Sequence, residues 1–285
     1  MRTLFLARYR SVLLAAVFLM LAGPSARAFE LICSPGDTSL SAVYFNGSAK
    51  QLSDRFQLTP YANDQEGALV LDGLPKTPIR SFEVQFGLRM TNEASTSVMA
   101  DGFSFNFGPG LTLNSVTSEK GIAQGLAVSF DTFKNNTAPY FDPDWVPGIS
   151  IRWDGSDVVF TNISGTFDGY KTSSDFRDVS ISLTPSMDGT GNSEVVVDYA
   201  GVVLRGKVGY VPKPGEVWRM MFAARTGLDY SEQSISTIHV TGEAAKLQVI
   251  SPYGGGATES NNEHPAKRIC LSLRAWRGVG GRIEF

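Results

Sequence analysis

Cysteine and histidine are almost missing from this chain, with two of each in 285 residues. That excludes a disulfide-stapled miniprotein, and the lack of any CxxC pair argues against a structural zinc fold. Charge is sparse too, with 19% Asp, Glu, Lys and Arg and a formal net −3. Such a balance argues against a nucleic-acid footprint. Hydrophobic residues reach 42%, too many for a disordered polymer. Helical periodicity is scarce throughout. Beyond residue 28 no run is long and apolar enough to span a bilayer, which takes about 20 residues.

What is present begins with a leader. Arg2, Arg8 and Arg10 precede an unbroken apolar run from Val12 to Ala22, then Gly23-Pro24 and Ala26-Arg27-Ala28. This reads as a secretory signal peptide, residues 1–28, with cleavage expected after Ala28; a membrane anchor is the alternative, and the run is short for it. Cleavage removes four Arg and no acid, leaving 21 basic against 28 acidic side chains, a formal −7. An acidic exported protein favours cations or neutral ligands over phosphates and anionic lipid. The expected location is outside the cell, at its surface or in a periplasm. Export also permits a Cys33–Cys270 disulfide tying the two ends together; two unpaired thiols are the other possibility.

The rest is punctuated by short β-rich runs: 81–88, 102–107, 126–130, 149–153, 158–160, 179–183, 194–199, 202–204, 218–223 and 235–240. Gly, Asn, Asp and Pro clusters separate them, and Asp188-Gly189-Thr190-Gly191-Asn192 reads as a hairpin turn. Many short strands with turns between them predict an all-β antiparallel sandwich or barrel. Continuity favours one domain over 29–251. The Gly254-Gly255-Gly256 break and polar Ser260 to Glu263 mark 252–285 as a flexible linker and loosely structured tail.

Two segments carry chemistry. One is Ala100-Asp101-Gly102-Phe103-Ser104-Phe105-Asn106-Phe107. The other runs from Val128-Ser129-Phe130-Asp131-Thr132-Phe133-Lys134-Asn135 to Asp142-Pro143 and Gly148-Ile149. A strand ending at Phe130 releases Asp131, Phe133 and Asn135 at alternate positions. Carboxylate, carbonyl and amide oxygens from one loop suit Ca²⁺, which takes ~6–8 oxygens. The same residues also make ordinary polar turns.

Together these segments resemble the paired signatures of L-type (legume-type, concanavalin A-like) lectins. Phe45-Asn46-Gly47-Ser48-Ala49, Leu58-Thr59-Pro60 and Gly67-Ala68 resemble that family's opening strands. Phe222-Ala223-Ala224-Arg225-Thr226-Gly227-Leu228 resembles the stretch before its last strand. Bacterial secreted proteins with a concanavalin A-like jelly roll share the D-G-F-S-F-N-F-G and V-S-F-D-T segments, and this sequence looks closer to them than to a seed lectin. The resemblance spans roughly 40–245.

It implies a jelly-roll sandwich and a role for each matching position. Asp131, the carbonyl of Phe133, Asn135 and Asp142 match calcium ligands. Asp101 matches the sugar-binding aspartate, after a cis peptide from Ala100. Asn135 would serve both ion and sugar, and Phe133 could lie under the sugar's apolar face. Gly121 falls in a loop that usually gives a backbone N–H to the sugar. Leu228 and Asp229 fall in the specificity loop. The implied function is a calcium-dependent, non-catalytic carbohydrate binder whose partners are glycans or polysaccharide.

The departures also count. Ser129 and Val146 stand where legume lectins place an acid and a histidine for a second, transition metal, so that site should be absent or badly weakened. The loop after Asn135 is long, so Asp144 competes with Asp142 for the second carboxylate. Asp229 leaves the sugar unspecified. Asp101 could instead brace the calcium loop, and Phe133, Trp145 and Trp153 could be packing residues. Asn46, Asn135 and Asn162 fit the glycosylation sequon. Two alternatives stand beside the lectin reading: a calcium-stabilised adhesion or structural module without sugar binding, and a glycoside hydrolase of the same fold. The hydrolase needs paired carboxylates ~5–5.5 Å apart for retention, and no E-x-D-x-E strand pattern occurs.

Overall fold

The computed structural model describes residues 26–37, 40–91, 99–135, 142–143, 146–163, 175–185, 191–245 and 267–269. In chain order the strands are β1 (Ala26–Cys33), β2 (Val43–Gly47), β3 (Lys50–Gln51), β4 (Phe56–Thr59), β5 (Glu66–Leu71), β6 (Ile79–Thr91), β7 (Gly102–Gly108), β8 (Leu126–Asp131) and β9 (Gly148–Trp153). They continue with β10 (Ser156–Asn162), β11 (Arg177–Pro185), β12 (Ser193–Tyr199), β13 (Val202–Val208), β14 (Arg219–Arg225), β15 (Glu232–Ile235), β16 (Ile238–Ala245) and β17 (Lys267–Ile269). Among the described residues no helix is long and apolar enough to cross a membrane.

The strands form an all-β sandwich of two sheets. One has seven strands in the order β10-β9-β8-β7-β14-β5-β2. The other has ten and is built on the long β6: β13-β12-β11 lie on one side. On its other side β6 pairs β16 over residues 79–85 and β15 over residues 88–91. All pairings are antiparallel except β1 with β17.

Alternation along β6 explains the core. Phe82, Val84, Phe86, Leu88 and Met90 are buried at every second position, as a half-buried strand requires. Phe82 meets Phe105 and Phe107 of the facing sheet, and Phe86 meets Phe103 and Phe222, at centroid separations of 4.9–6.1 Å. Interlocked rings of this kind contribute beyond their buried area. β12 shows the complementary pattern, buried and half-buried residues alternating from Ser193 to Tyr199.

β7 and β8 are buried at every position, so both faces of the seven-stranded sheet are covered there. Inward, Phe103, Phe105 and Phe107 fill the sandwich. Outward, the β7–β8 loop folds over the sheet, and Leu111 packs on Ala68, Val70, Met221 and Ala223 with Leu113 and Ile122 beside it. Polar side chains pin that loop. Asn46 Nδ2 donates to the carbonyl of Leu113 at 2.8 Å, Ser104 Oγ to that of Ser118 at 2.8 Å, and Asn106 Oδ1 accepts from the Ile122 N–H at 2.9 Å.

Several sequence expectations meet this architecture directly. β11 and β12 pair antiparallel from Val179–Tyr199 to Pro185–Ser193, as a hairpin requires, and residues 186–190 of the expected turn lie outside the described residues. The run at 235–240 is two strands rather than one, interrupted at Ser236-Thr237, because β6 is long enough to hold β15 and β16 end to end. In the expected tail, Lys267–Ile269 forms β17, parallel to Glu30–Ile32. β1 begins at Ala26; a cut after Ala28 would leave Phe29–Cys33 opposite Gly242–Ile238. Cys33 is buried, and Cys270 lies outside the described residues, one position beyond Ile269, which pairs with Ile32. Trp153 stacks on Trp218, 6.2 Å apart with planes 13° from parallel, so it belongs to the packing. Trp145 lies outside the described residues. His239 sits 3.0 Å from Glu30 across β1 and β16.

Candidate functional site

Three adjacent strands deliver the site. Gly102 at the start of β7 pairs with Asp131 at the end of β8 and with Arg225 at the end of β14. Asp101, Asp131 and Arg225 therefore lie at one end of the seven-stranded sheet.

The main chain around Asp101 is held on every side. The Ala100–Asp101 peptide is cis, as the resemblance implies. The Asp101 N–H donates to the carbonyl of Arg225 at 2.9 Å, and its carbonyl accepts from both the N–H and the hydroxyl of Thr132 at 2.9 Å. The Ala100 carbonyl accepts from Ser231 Oγ at 3.1 Å and Gln233 Nε2 at 3.2 Å. A carboxylate on such a frame keeps one direction, which lowers the ordering cost of binding. The Thr132 bonds also fasten Asp101 to the loop that carries Phe133 and Asn135.

Asp101 itself is mostly buried. Its Oδ2 lies 2.9 Å from Arg225 Nη2, and Arg225 Nε lies 3.2 Å from Glu119 Oε2. One guanidinium therefore bridges two carboxylates. Gly227 faces the Asp101 carboxylate: a Cβ there would come within 3.3 and 3.4 Å of its two oxygens. Next to it Leu228 is 84% exposed, its carbonyl fixed by Asn63 Nδ2 at 2.6 Å. Asp229 is half-buried, and its carbonyl accepts from the Gly227 N–H at 3.2 Å.

The second half of the site is the loop after β8. The Asn135 N–H and Asn135 Nδ2 donate to the same oxygen of Asp142, at 2.8 and 2.7 Å. Asp142 N–H returns a bond to the Asn135 carbonyl at 3.0 Å. The other Asp142 oxygen lies 2.7 Å from Lys120 Nζ, and the aspartate side chain is wholly buried. Asp131 is 2% exposed and among the described residues accepts one long 3.3 Å bond, from the Phe133 N–H. Phe133 and Asn135 are half-buried. Asp142 is thus joined to the loop, while Asp144 lies outside the described residues.

Gly121 holds a turn at φ +75°, and a Cβ there would strike Ala127 Cβ at 2.5 Å. Its own N–H donates to Ser118 at 3.0 Å. It shapes the loop border more than it offers a free donor.

Electrostatics mark this end as strained by charge. Burial pushes the Asp131 carboxyl up to about 8, with Glu119 and Asp142 adding to the effect and Lys120 opposing it. Burial also raises Glu119 and Asp101, against the pull of Arg225. Burial disfavours the Arg225 charge, yet Glu119 and Asp101 outweigh it and its pKa rises. Buried carboxylates without a compensating cation are costly.

Among the described residues no group of three or more His, Cys, Asp or Glu is placed to hold a metal ion. The calcium set implied by the sequence has only two carboxylates, Asp131 and Asp142; its other oxygens are the Phe133 carbonyl and the Asn135 amide. Hard oxygen donors and an under-compensated buried carboxylate fit calcium. Around the place of the second metal, Ser129 is buried with its hydroxyl unbonded and Val146 is buried, and neither supplies a carboxylate or imidazole.

Sequence reasoning missed Glu119, Lys120, Arg225, Gly227 and the Tyr61–Tyr230 edge-to-face pair at 4.5 Å. The available signal was charge at buried places: Arg225 ends the apolar Met220-Met221-Phe222-Ala223-Ala224 run, and Glu119-Lys120 interrupts a Gly- and Ser-rich loop.

Comparison with known proteins bears on the fold that carries this geometry. Residues 35–157 match the family described as the legume-like lectin family. The resemblance to L-type lectins holds. The matched stretch contains Asp101, Asp131, Asn135 and Asp142 and stops short of Arg225 and the 226–229 loop. The lectin-like fold extends further. A lectin from Bauhinia forficata, in complex with GalNAc, superposes with a TM-score of 0.58 at 19% identity over 78% of this chain and 100% of its own. Peanut lectin, with a bound 9mer peptide, gives 0.54 at 18% identity over 78% and 100%. The exoplasmic/lumenal domain of VIP36, in its Ca²⁺/Man₃GlcNAc-bound form, gives 0.53 at 15% identity over 79% and 91%. At these identities the likeness concerns the fold. No curated protein sequence matches the chain.

Proposed function

We propose that this chain is a secreted, calcium-dependent carbohydrate-binding protein without catalytic activity, its lectin-like domain spanning 29–251 after removal of 1–28. The observation that carries the reading is the joining of Asp101 to the Asp131–Asn135 loop through Thr132, which sets a fixed acceptor carboxylate beside a cluster of hard oxygen donors. The VIP36 form bound to Ca²⁺ and Man₃GlcNAc and the Bauhinia lectin bound to GalNAc support it by analogy of fold.

Asp101 accepts hydrogen bonds from two sugar hydroxyls, one oxygen being shared with Arg225. Bonds to a charged acceptor are the stronger kind. Asn135 Nδ2 carries two hydrogens; one is held by Asp142, and the other is available to a sugar oxygen. Phe133 and the exposed Leu228 border the pocket and meet the apolar C–H face of a ring, with Asp229 and the Gly121 loop at its rim. Calcium held by Asp131, the Phe133 carbonyl, Asn135 and Asp142 neutralises the buried carboxylates and fixes the loop. Lys120 and Arg225 are already committed to carboxylates, so a neutral glycan suits the pocket better than an anionic one.

A glycan array with the purified chain tests this. In millimolar calcium a defined group of neutral glycans should give signal, and a chelator should remove it. Silence on every glycan in calcium favours the structural or adhesion module, and signal indifferent to chelator removes the calcium requirement.

A further inference from the structure

Lys120 carries a role that nothing in the lectin resemblance assigns. Its ammonium lies 2.7 Å from one oxygen of Asp142, a side chain with no solvent exposure, while Lys120 itself remains 40% exposed. The other Asp142 oxygen is taken by the N–H and Nδ2 of Asn135. One Asp142 oxygen is thus hydrogen-bonded, and the other, buried and without a hydrogen bond, faces the Lys120 ammonium as an ion pair.

The Lys120 backbone is placed independently of this contact. Its carbonyl accepts from Arg152 Nη1 at 2.6 Å, and the following turn is closed by Gly121 N–H to Ser118 and by Thr117 Oγ1 to Gly121. The side chain is therefore aimed at Asp142 by a pinned loop on the sheet's outer face.

We propose that Lys120 is a built-in counter-ion that ties Asp142 to the pinned 117–121 turn and competes with calcium for it. This inference rests on the calcium reading above. A fixed positive charge beside an incoming divalent cation repels it, and the Asp142 oxygen that Lys120 holds must be released or shared before the ion can use it. Asp142 thereby keeps a counter-ion at low calcium, and calcium affinity is set below what the oxygen donors alone would give.

The test uses the full chain, stripped with chelator and titrated with calcium chloride by calorimetry, as wild type, Lys120→Met and Lys120→Arg. Methionine keeps length and removes charge. Lys120→Met should bind calcium about tenfold tighter than wild type and melt lower than wild type in chelator. Lys120→Arg, which keeps the charge, should stay near wild type in both. Equal or weaker calcium binding by Lys120→Met overturns the competing role while leaving the calcium site standing. No calcium heat with any of the three overturns both the role and the site.

Discussion

Asp101→Ala is expected to weaken glycan binding by at least about 100-fold while the melting temperature in calcium moves by only a few degrees. Truncating one partner of a hydrogen-bonded charged contact costs roughly 2–5 kcal/mol. The frame around Asp101 is made by main-chain groups: its N–H to Arg225, its carbonyl to Thr132, and the Ala100 carbonyl to Ser231 and Gln233. None of these is removed by the substitution. The lost ion pair with Arg225 is replaced in part by Glu119, which the same guanidinium already touches. Titration with an array-positive glycan, alongside a thermal melt, checks both halves. Binding within about threefold of wild type would show that Asp101 only braces the loop.

Asp131→Asn is expected to reverse sign with calcium. Without the ion, the buried Asp131 carboxyl titrates near 8, far above the ordinary value near 4. A folded-state pKa raised above the unfolded one gives stability that is complete at low pH and is lost as pH rises between those values. At pH 8 in chelator the wild type therefore bears that loss, and an amide of the same shape escapes it. The gain is at most about 5 kcal/mol, or roughly 10–20 °C at this chain length. In saturating calcium the order inverts, because the variant lacks a carboxylate ligand and its melting point ignores the ion. Melts of both proteins at pH 5 and pH 8, with calcium and with chelator, give all four comparisons. A variant that melts below wild type in chelator at pH 8 would contradict the burden assigned to Asp131.

The sandwich was legible because its strands announce themselves by alternation. Phe82-Val84-Phe86-Leu88 on β6 and Phe103-Phe105-Phe107 on β7 leave little room for any other period. What joins Asp101 to Asn135 was legible only through resemblance, since Thr132 looks like any turn residue until its hydroxyl is seen on the Asp101 carbonyl. Lys120 and Arg225 were not legible. Each acts on an acid distant in sequence: Arg225 meets Asp101 through the β7–β14 register, and Lys120 meets Asp142 through how the 109–125 loop folds across the outer face of the sheet. That fold is set by Asn46, Ser104 and Asn106, whose side chains read locally as turn or strand residues. β15 and β16 merged into one run because the long partner that separates them, β6, lies far away along the chain.

The central claim is that one ion, held by oxygens of the loop after β8, readies a sugar pocket around Asp101. A crystal of the chain grown with calcium and an array-positive glycan tests it most directly. The account predicts an ion within about 2.6 Å of oxygens from Asp131, Phe133, Asn135 and Asp142, with two sugar hydroxyls on the Asp101 carboxylate. A sugar bound on another face, or a loop that binds no ion at saturating calcium, would contradict it.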